Sequence, residues 1–111
     1  RGIDGEALVG HDLDRRRIVT LERVDTIVPT MAARRTEALN FEICRRLVER
    51  VVLVEDAAMH EAARLMWREC GLALDLSAAA AIAALTTGAY VPASGERVCA
   101  LLCGAGTDGI D

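Results

Sequence analysis

Polar and apolar positions alternate along this chain in two rhythms. From Asn40 onward Phe41, Cys44, Leu47, Val48 and Val51 recur at intervals of three and four residues. Glu42 and Arg46, and Arg45 and Glu49, form i,i+4 pairs on the other side, so the spacing predicts an amphipathic helix. Val51-Val52-Leu53-Val54 is then continuously apolar and rich in β-branched residues, which predicts a buried strand. Asp56 is a candidate cap for a second helix over 57–70, whose apolar stripe is Met59, Ala62, Ala63, Met66 and Cys70, with Arg64 and Arg68 opposite and Gly71 closing it. Ser77 is the expected N-cap of a third helix, Ala78–Thr87, closed by Gly88 and almost polyalanine over its first two turns. Residues 89–96 carry Pro92, Ser94 and Gly95 and read as a surface loop. A second strand over 97–102 follows and runs into the glycine-rich turn Cys103-Gly104-Ala105-Gly106-Thr107-Asp108-Gly109.

The first part of the chain is less periodic. Residues 1–17 are polar and contain Gly2, Gly5 and Gly10, consistent with a strand stub followed by a helix or loop. Pro29 closes a β-branched stretch from Arg17 and forbids an ordinary helix interior, so a loop or edge segment is expected there. Together these elements predict an α/β fold: a small sheet, with strands 51–54 and 97–102, flanked by about three helices. The 111 residues are of a size for a single domain, 1–111.

Composition narrows the chemistry. Apolar residues are 52% of the chain but aromatics only 3%, so the core must be built from small aliphatic side chains with close backbone approach. The Met stripe in the second helix reads as core packing. A net charge of -4 is the wrong sign for a nucleic-acid binder. All 13 basic residues are arginine, so no side chain here can form a Schiff base. No apolar run reaches the length of a membrane span.

Cys44, Cys70, Cys99 and Cys103 contain no Cys-x-x-Cys pair, and free thiols in a cytoplasmic setting are expected. Along a strand, Cys99 and Cys103 would be roughly 13 Å apart, too far for a disulfide or a shared zinc. His60 is expected on an exposed helical face, and neither it nor His11 adds metal-ligand spacing.

Several separated segments, taken in order, resemble one family. They are Val-Thr-Leu-Glu-Arg-Val-Asp-Thr-Ile (19–27), Ala38-Leu39-Asn40-Phe41-Glu42-Ile43, Arg50-Val51-Val52-Leu53-Val54, Leu74-Asp75-Leu76-Ser77-Ala78-Ala79-Ala80-Ala81 and Leu102-Cys103-Gly104-Ala105-Gly106. This order is similar to the C-terminal part of threonine dehydratase-like enzymes. These are fold type II, pyridoxal-phosphate dependent enzymes of the tryptophan synthase beta superfamily, which also holds serine dehydratases and serine racemases.

The resemblance covers roughly residues 18–108. It implies that the phosphate-binding glycine loop and the Schiff-base lysine lie upstream of the matched part, so the chain looks like such an enzyme without its lysine-bearing N-terminal half. No catalytic residue is therefore expected in the chain itself. The resemblance places Cys103 against the pyridine nitrogen of the cofactor, Gly104 as the glycine after it, and Asp75 where a glutamate usually stands near the cofactor pocket. Asp4 is a weaker match to an acidic residue that helps hold a divalent cation in some members. Departures from the family pattern are Pro29-Thr30 for Asp-Gly, Leu76 for proline, Ala78 for glycine and Gly106 for asparagine.

The implied function is that of a truncated threonine or serine dehydratase (ammonia-lyase), inactive alone. Pyridoxal phosphate is implied by the resemblance, but this chain by itself is not expected to retain it. The expected partner is either further copies of the chain or a lysine-bearing segment. The alternative is a non-catalytic, self-associating or partner-binding α/β module.

Overall fold

A computed structural model describes residues 17–110. The expected opening strand stub, Asp4 and His11 lie outside the described residues. The chain divides into two compact units, the first ending at Leu53 and the second beginning at Val54.

In the first unit, residues 17–28 run without regular structure, as the broken periodicity and Pro29 predict. They are tied down by a reciprocal clasp: Leu21 donates its N–H to the Arg34 carbonyl at 2.8 Å, and Arg34 Nε donates back to the Leu21 carbonyl at 2.8 Å. Pro29 opens a short 3-10 turn, Pro29–Met31, at the one helical position where a missing N–H costs nothing. Leu21, Val28 and Met31 are buried.

Helix α1, Ala38–Leu47, follows and buries none of its residues fully. Phe41 and Cys44 are half-buried, whereas Leu39, Ile43 and Leu47 are 71%, 47% and 80% exposed. The helix is instead braced on its surface, where Glu42 accepts from both Arg45 (2.7 Å) and Arg46 (2.9 Å). The hydrogen bond from Arg45, followed by that from Arg46, holds the Glu42 carboxyl below the usual glutamate range despite partial desolvation. A carboxylate whose pKa is depressed by folding stabilises the helix fully above its unfolded pKa and ceases to as pH falls through the folded value. Far-UV circular dichroism on titration from neutral pH downward is expected to show α1 fraying through that carboxylate range. The same limb should be shallower in Glu42→Gln, and an identical titration in the two chains would remove this pair from the stability of α1.

The second unit is built on two helices that pack against each other, α2 (Asp56–Cys70) and α3 (Leu76–Thr86). Helix α2 starts one residue before the expected 57, with Glu55 at its N-cap and Asp56 in the first turn, where negative charge meets the positive end of the helix. It ends as expected at Gly71, whose φ of 65° is the left-handed conformation that glycine adopts without strain. The core is Val54, Met59, Ala62, Ala63, Leu74, Leu76, Ala78, Ala79, Ala80 and Ala83. Alanine on both facing surfaces lets the helices approach closely. The polyalanine turns of α3 are thus taken up largely by packing rather than open to a flat ligand. Beyond Gly88 the loop closes on itself: Glu96 accepts from the Ala93 N–H at 2.7 Å and from the Tyr90 hydroxyl.

The expected sheet is a correction. Among the described residues neither 51–54 nor 97–102 forms a strand, and the fold is helical; β-type pairing is confined to one isolated antiparallel bridge between Leu74 and Ala105. An apolar run becomes a strand only when a neighbour accepts and donates its backbone hydrogen bonds. Here the runs have the composition without the ladder, and Leu53, Val98 and Leu101 stand 56%, 44% and 76% exposed. No helix among the described residues is long and apolar enough to cross a membrane.

Candidate functional site

The first turn of any α-helix leaves backbone N–H groups without intrahelical partners, and at α3 two carboxylates take one each. Asp75, extended at φ -77° and ψ 166°, is the N-cap: its Oδ1 accepts from the Ala78 N–H at 2.7 Å. Ser77, the residue expected in that role, instead donates its hydroxyl to the same Oδ1 at 3.0 Å. Aspartate and serine are both good caps, and the acid two residues earlier reaches the third N–H of the helix, so α3 begins at Leu76. The second carboxylate comes from far along the chain. Asp108 Oδ2 accepts from the Leu76 N–H at 3.0 Å.

These contacts draw the glycine-rich turn onto the start of α3. The Leu74–Ala105 bridge is extended by the Gly106 N–H, which donates to the Ala73 carbonyl at 3.2 Å. The approach is so close that side chains are excluded. A Cβ at Gly104 would lie 2.4 Å from Asp75 Oδ2, and one at Gly106 would lie 2.8 Å from the Asp75 Cα. Gly106, where the resembled family commonly carries asparagine, therefore accompanies a turn seated directly on the backbone of residue 75. On the far side, a Cβ at Gly109 would fall 2.4 Å from both C and O of Ala63, in the middle of α2.

Of the residues singled out from sequence, Asp75, Cys103 and Gly104 come together here. Cys103 opens the turn with its side chain exposed, immediately before the glycine that rests on the Asp75 carboxylate. Asp108 and Gly109 were not singled out. An Asp-Gly pair after a glycine turn reads as one more turn, and no local pattern announces a cap across 32 residues.

Other expected features behave more blandly. All four cysteines are free. His60 is half-buried, not on an open face, and its Nδ1 is sealed from solvent without a hydrogen-bond partner among the described residues. Among the described residues no group of three or more His, Cys, Asp or Glu side chains is placed to hold a metal ion.

Comparison with known proteins gives a consistent result. Residues 2–104 match the family described as pyridoxal-phosphate dependent enzyme. The chain is similar to a phenylserine dehydratase from Ralstonia pickettii, 38% identical over 90 residues, which is 81% of this chain and 28% of that protein. Among solved structures it is similar to maize serine racemase, with a TM-score of 0.66 and 26% identity over 72% of this chain and 25% of that one. The chain thus spans about a quarter of the length of these relatives.

Proposed function

The chain belongs to the pyridoxal-phosphate dependent enzymes, and on that premise we propose that it forms the ring-nitrogen side of a dehydratase (ammonia-lyase) for β-hydroxy amino acids such as threonine or serine, inactive without a lysine-bearing segment. The observation that carries this reading is the exposed Cys103 thiol, presented by a turn that is pinned to the start of α3.

The residues present fit one part of the cofactor and not another. A thiol both donates and accepts weakly, so Cys103 suits a neutral pyridine nitrogen. With no lysine among the 111 residues, the chain offers no side chain for covalent attachment. Pyridoxal phosphate, when bound, supplies the electron sink that loosens bonds at the α-carbon of an amino acid. Cys103, being neutral, would leave the ring nitrogen without a full proton, which limits that sink and suits elimination of a β-hydroxyl. Asp75 and Ser77 act one step back, fixing the start of α3 on which the turn that carries the thiol rests.

A second reading is favoured by a different observation. Leu39, Leu47, Val91 and Leu101 are each more than two-thirds exposed, which suits a self-associating or partner-binding module without catalysis. The unladdered runs at 51–54 and 97–102, in which Leu53, Val98 and Leu101 stand exposed, suit either reading, as segments whose sheet neighbours come from another polypeptide.

Native mass spectrometry of the purified chain, with and without added pyridoxal phosphate, separates the two. A complex of this chain with a lysine-bearing polypeptide and the cofactor supports the lyase reading. A homo-oligomer that stays free of cofactor supports the module. Within a reconstituted complex, Cys103→Ala is expected to weaken cofactor binding about fivefold, the scale of one lost hydrogen bond. Unchanged affinity would take Cys103 out of the pocket.

A further inference from the structure

We propose that Asp108 is a positioning residue for Cys103, fixing the glycine turn to α3 from its far end. The inference rests on the reading that Cys103 meets the ring nitrogen, but the geometry behind it is independent of any cofactor. The turn from Cys103 to Gly109 contains three glycines, and such a segment has many conformations open to it. Something must select one if a thiol at its start is to meet a ligand in a fixed place.

On the near side the turn is held through its backbone alone, by the Leu74–Ala105 bridge with its Gly106-to-Ala73 hydrogen bond at 3.2 Å and by the seating of Gly104 and Gly106 on Asp75. On the far side a side chain of the turn itself makes the attachment. The Asp108 carboxylate takes the Leu76 N–H, a first-turn donor that has no partner inside its own helix, and a negative charge there also faces the positive end of α3. The next residue, Gly109, rests against the backbone of Ala63 in α2 with no room for a side chain. Asp108 and Gly109 therefore register the turn against two packed helices at once, and Cys103, five residues earlier, inherits that register.

The test uses the four free thiols of the intact chain. Alkylation by iodoacetamide is followed at Cys103, with Cys70 and Cys99, also exposed, as internal references. In Asp108→Ala the rate at Cys103 relative to Cys70 is expected to rise about fivefold as the turn is released. Asp108→Asn keeps an oxygen that can accept from Leu76 and is expected to restore the parent ratio. An unchanged ratio in the alanine variant, or equal shifts in the alanine and asparagine variants, overturns the proposal.

If the alanine variant does not fold, hydrogen exchange in the unsubstituted chain decides. The Leu76 amide should exchange about tenfold more slowly than its neighbour Ser77, and equal rates overturn the proposal. Neither readout involves pyridoxal phosphate. A null result for Cys103→Ala in cofactor binding would leave the positioning role of Asp108 standing while removing its ligand.

Discussion

Replacing Met59 with alanine is expected to lower the unfolding free energy by about 3 kcal/mol, within the range for deleting a large buried aliphatic side chain. Met59 is 1% exposed and is the largest fully buried side chain among the described residues. The core of its unit is mostly alanine: Ala62, Ala63, Ala78, Ala79, Ala80 and Ala83 have no rotamers with which to fill a void. The cavity should persist, and cavities that cannot collapse carry the larger penalties. Met59→Leu, which conserves volume, is expected to cost less than about 1.5 kcal/mol. Urea unfolding followed by circular dichroism measures both. Equal midpoints for the alanine variant and the parent would mean that α2 and α3 do not pack through this residue.

Gly109→Ala should rank next, at about 2 kcal/mol, the scale of overpacking a filled site. The added methyl would meet C and O of Ala63 at 2.4 Å, and these are backbone atoms of a helix interior that cannot swing aside. Either α2 bends or the turn lifts away and takes the Asp108–Leu76 hydrogen bond with it. Gly95→Ala is a useful contrast. A methyl there meets nothing within 4 Å, and its cost comes only from a φ of 78°. A Gly109 variant no less stable than the Gly95 variant would show that the turn does not rest on α2.

The two substitutions also separate what the sequence reveals from what it conceals. The three helices were legible because each carries its own evidence: a 3.6-residue stripe, a polar cap, a closing Gly71 or Gly88. The boundaries of α2 and α3 moved by only a residue or two, as when Asp75 displaced Ser77 at the start of α3, whereas α1 ends at Leu47, before the Val48 and Val51 of its expected stripe. The strands were misread for the opposite reason. Val51–Val54 has the composition of a buried strand, but a strand is a property of a pair, and composition is silent about the neighbour.

The apolar side of α1 shows the same dependence on a neighbour. A stripe tells which face could be covered, and along this one Phe41 and Cys44 are half-buried while Leu47 is 80% exposed. Cys103, Gly104 and Asp75 were singled out through family resemblance, and the structure brings them together at the start of α3. Asp108 escaped because its partner, Leu76, lies 32 residues away and the bond runs to a backbone amide that leaves no trace in sequence.

The double capping of α3 also determines which ligands its N-terminus can receive. A free helix N-terminus is a ready anion site, its N–H groups and dipole welcoming phosphate or carboxylate. At α3 the Leu76 and Ala78 donors are already bonded to the carboxylates of Asp108 and Asp75. Two negative side chains now stand where an anion would have to settle. A phosphate or a carboxylate is therefore turned away from this end of the helix.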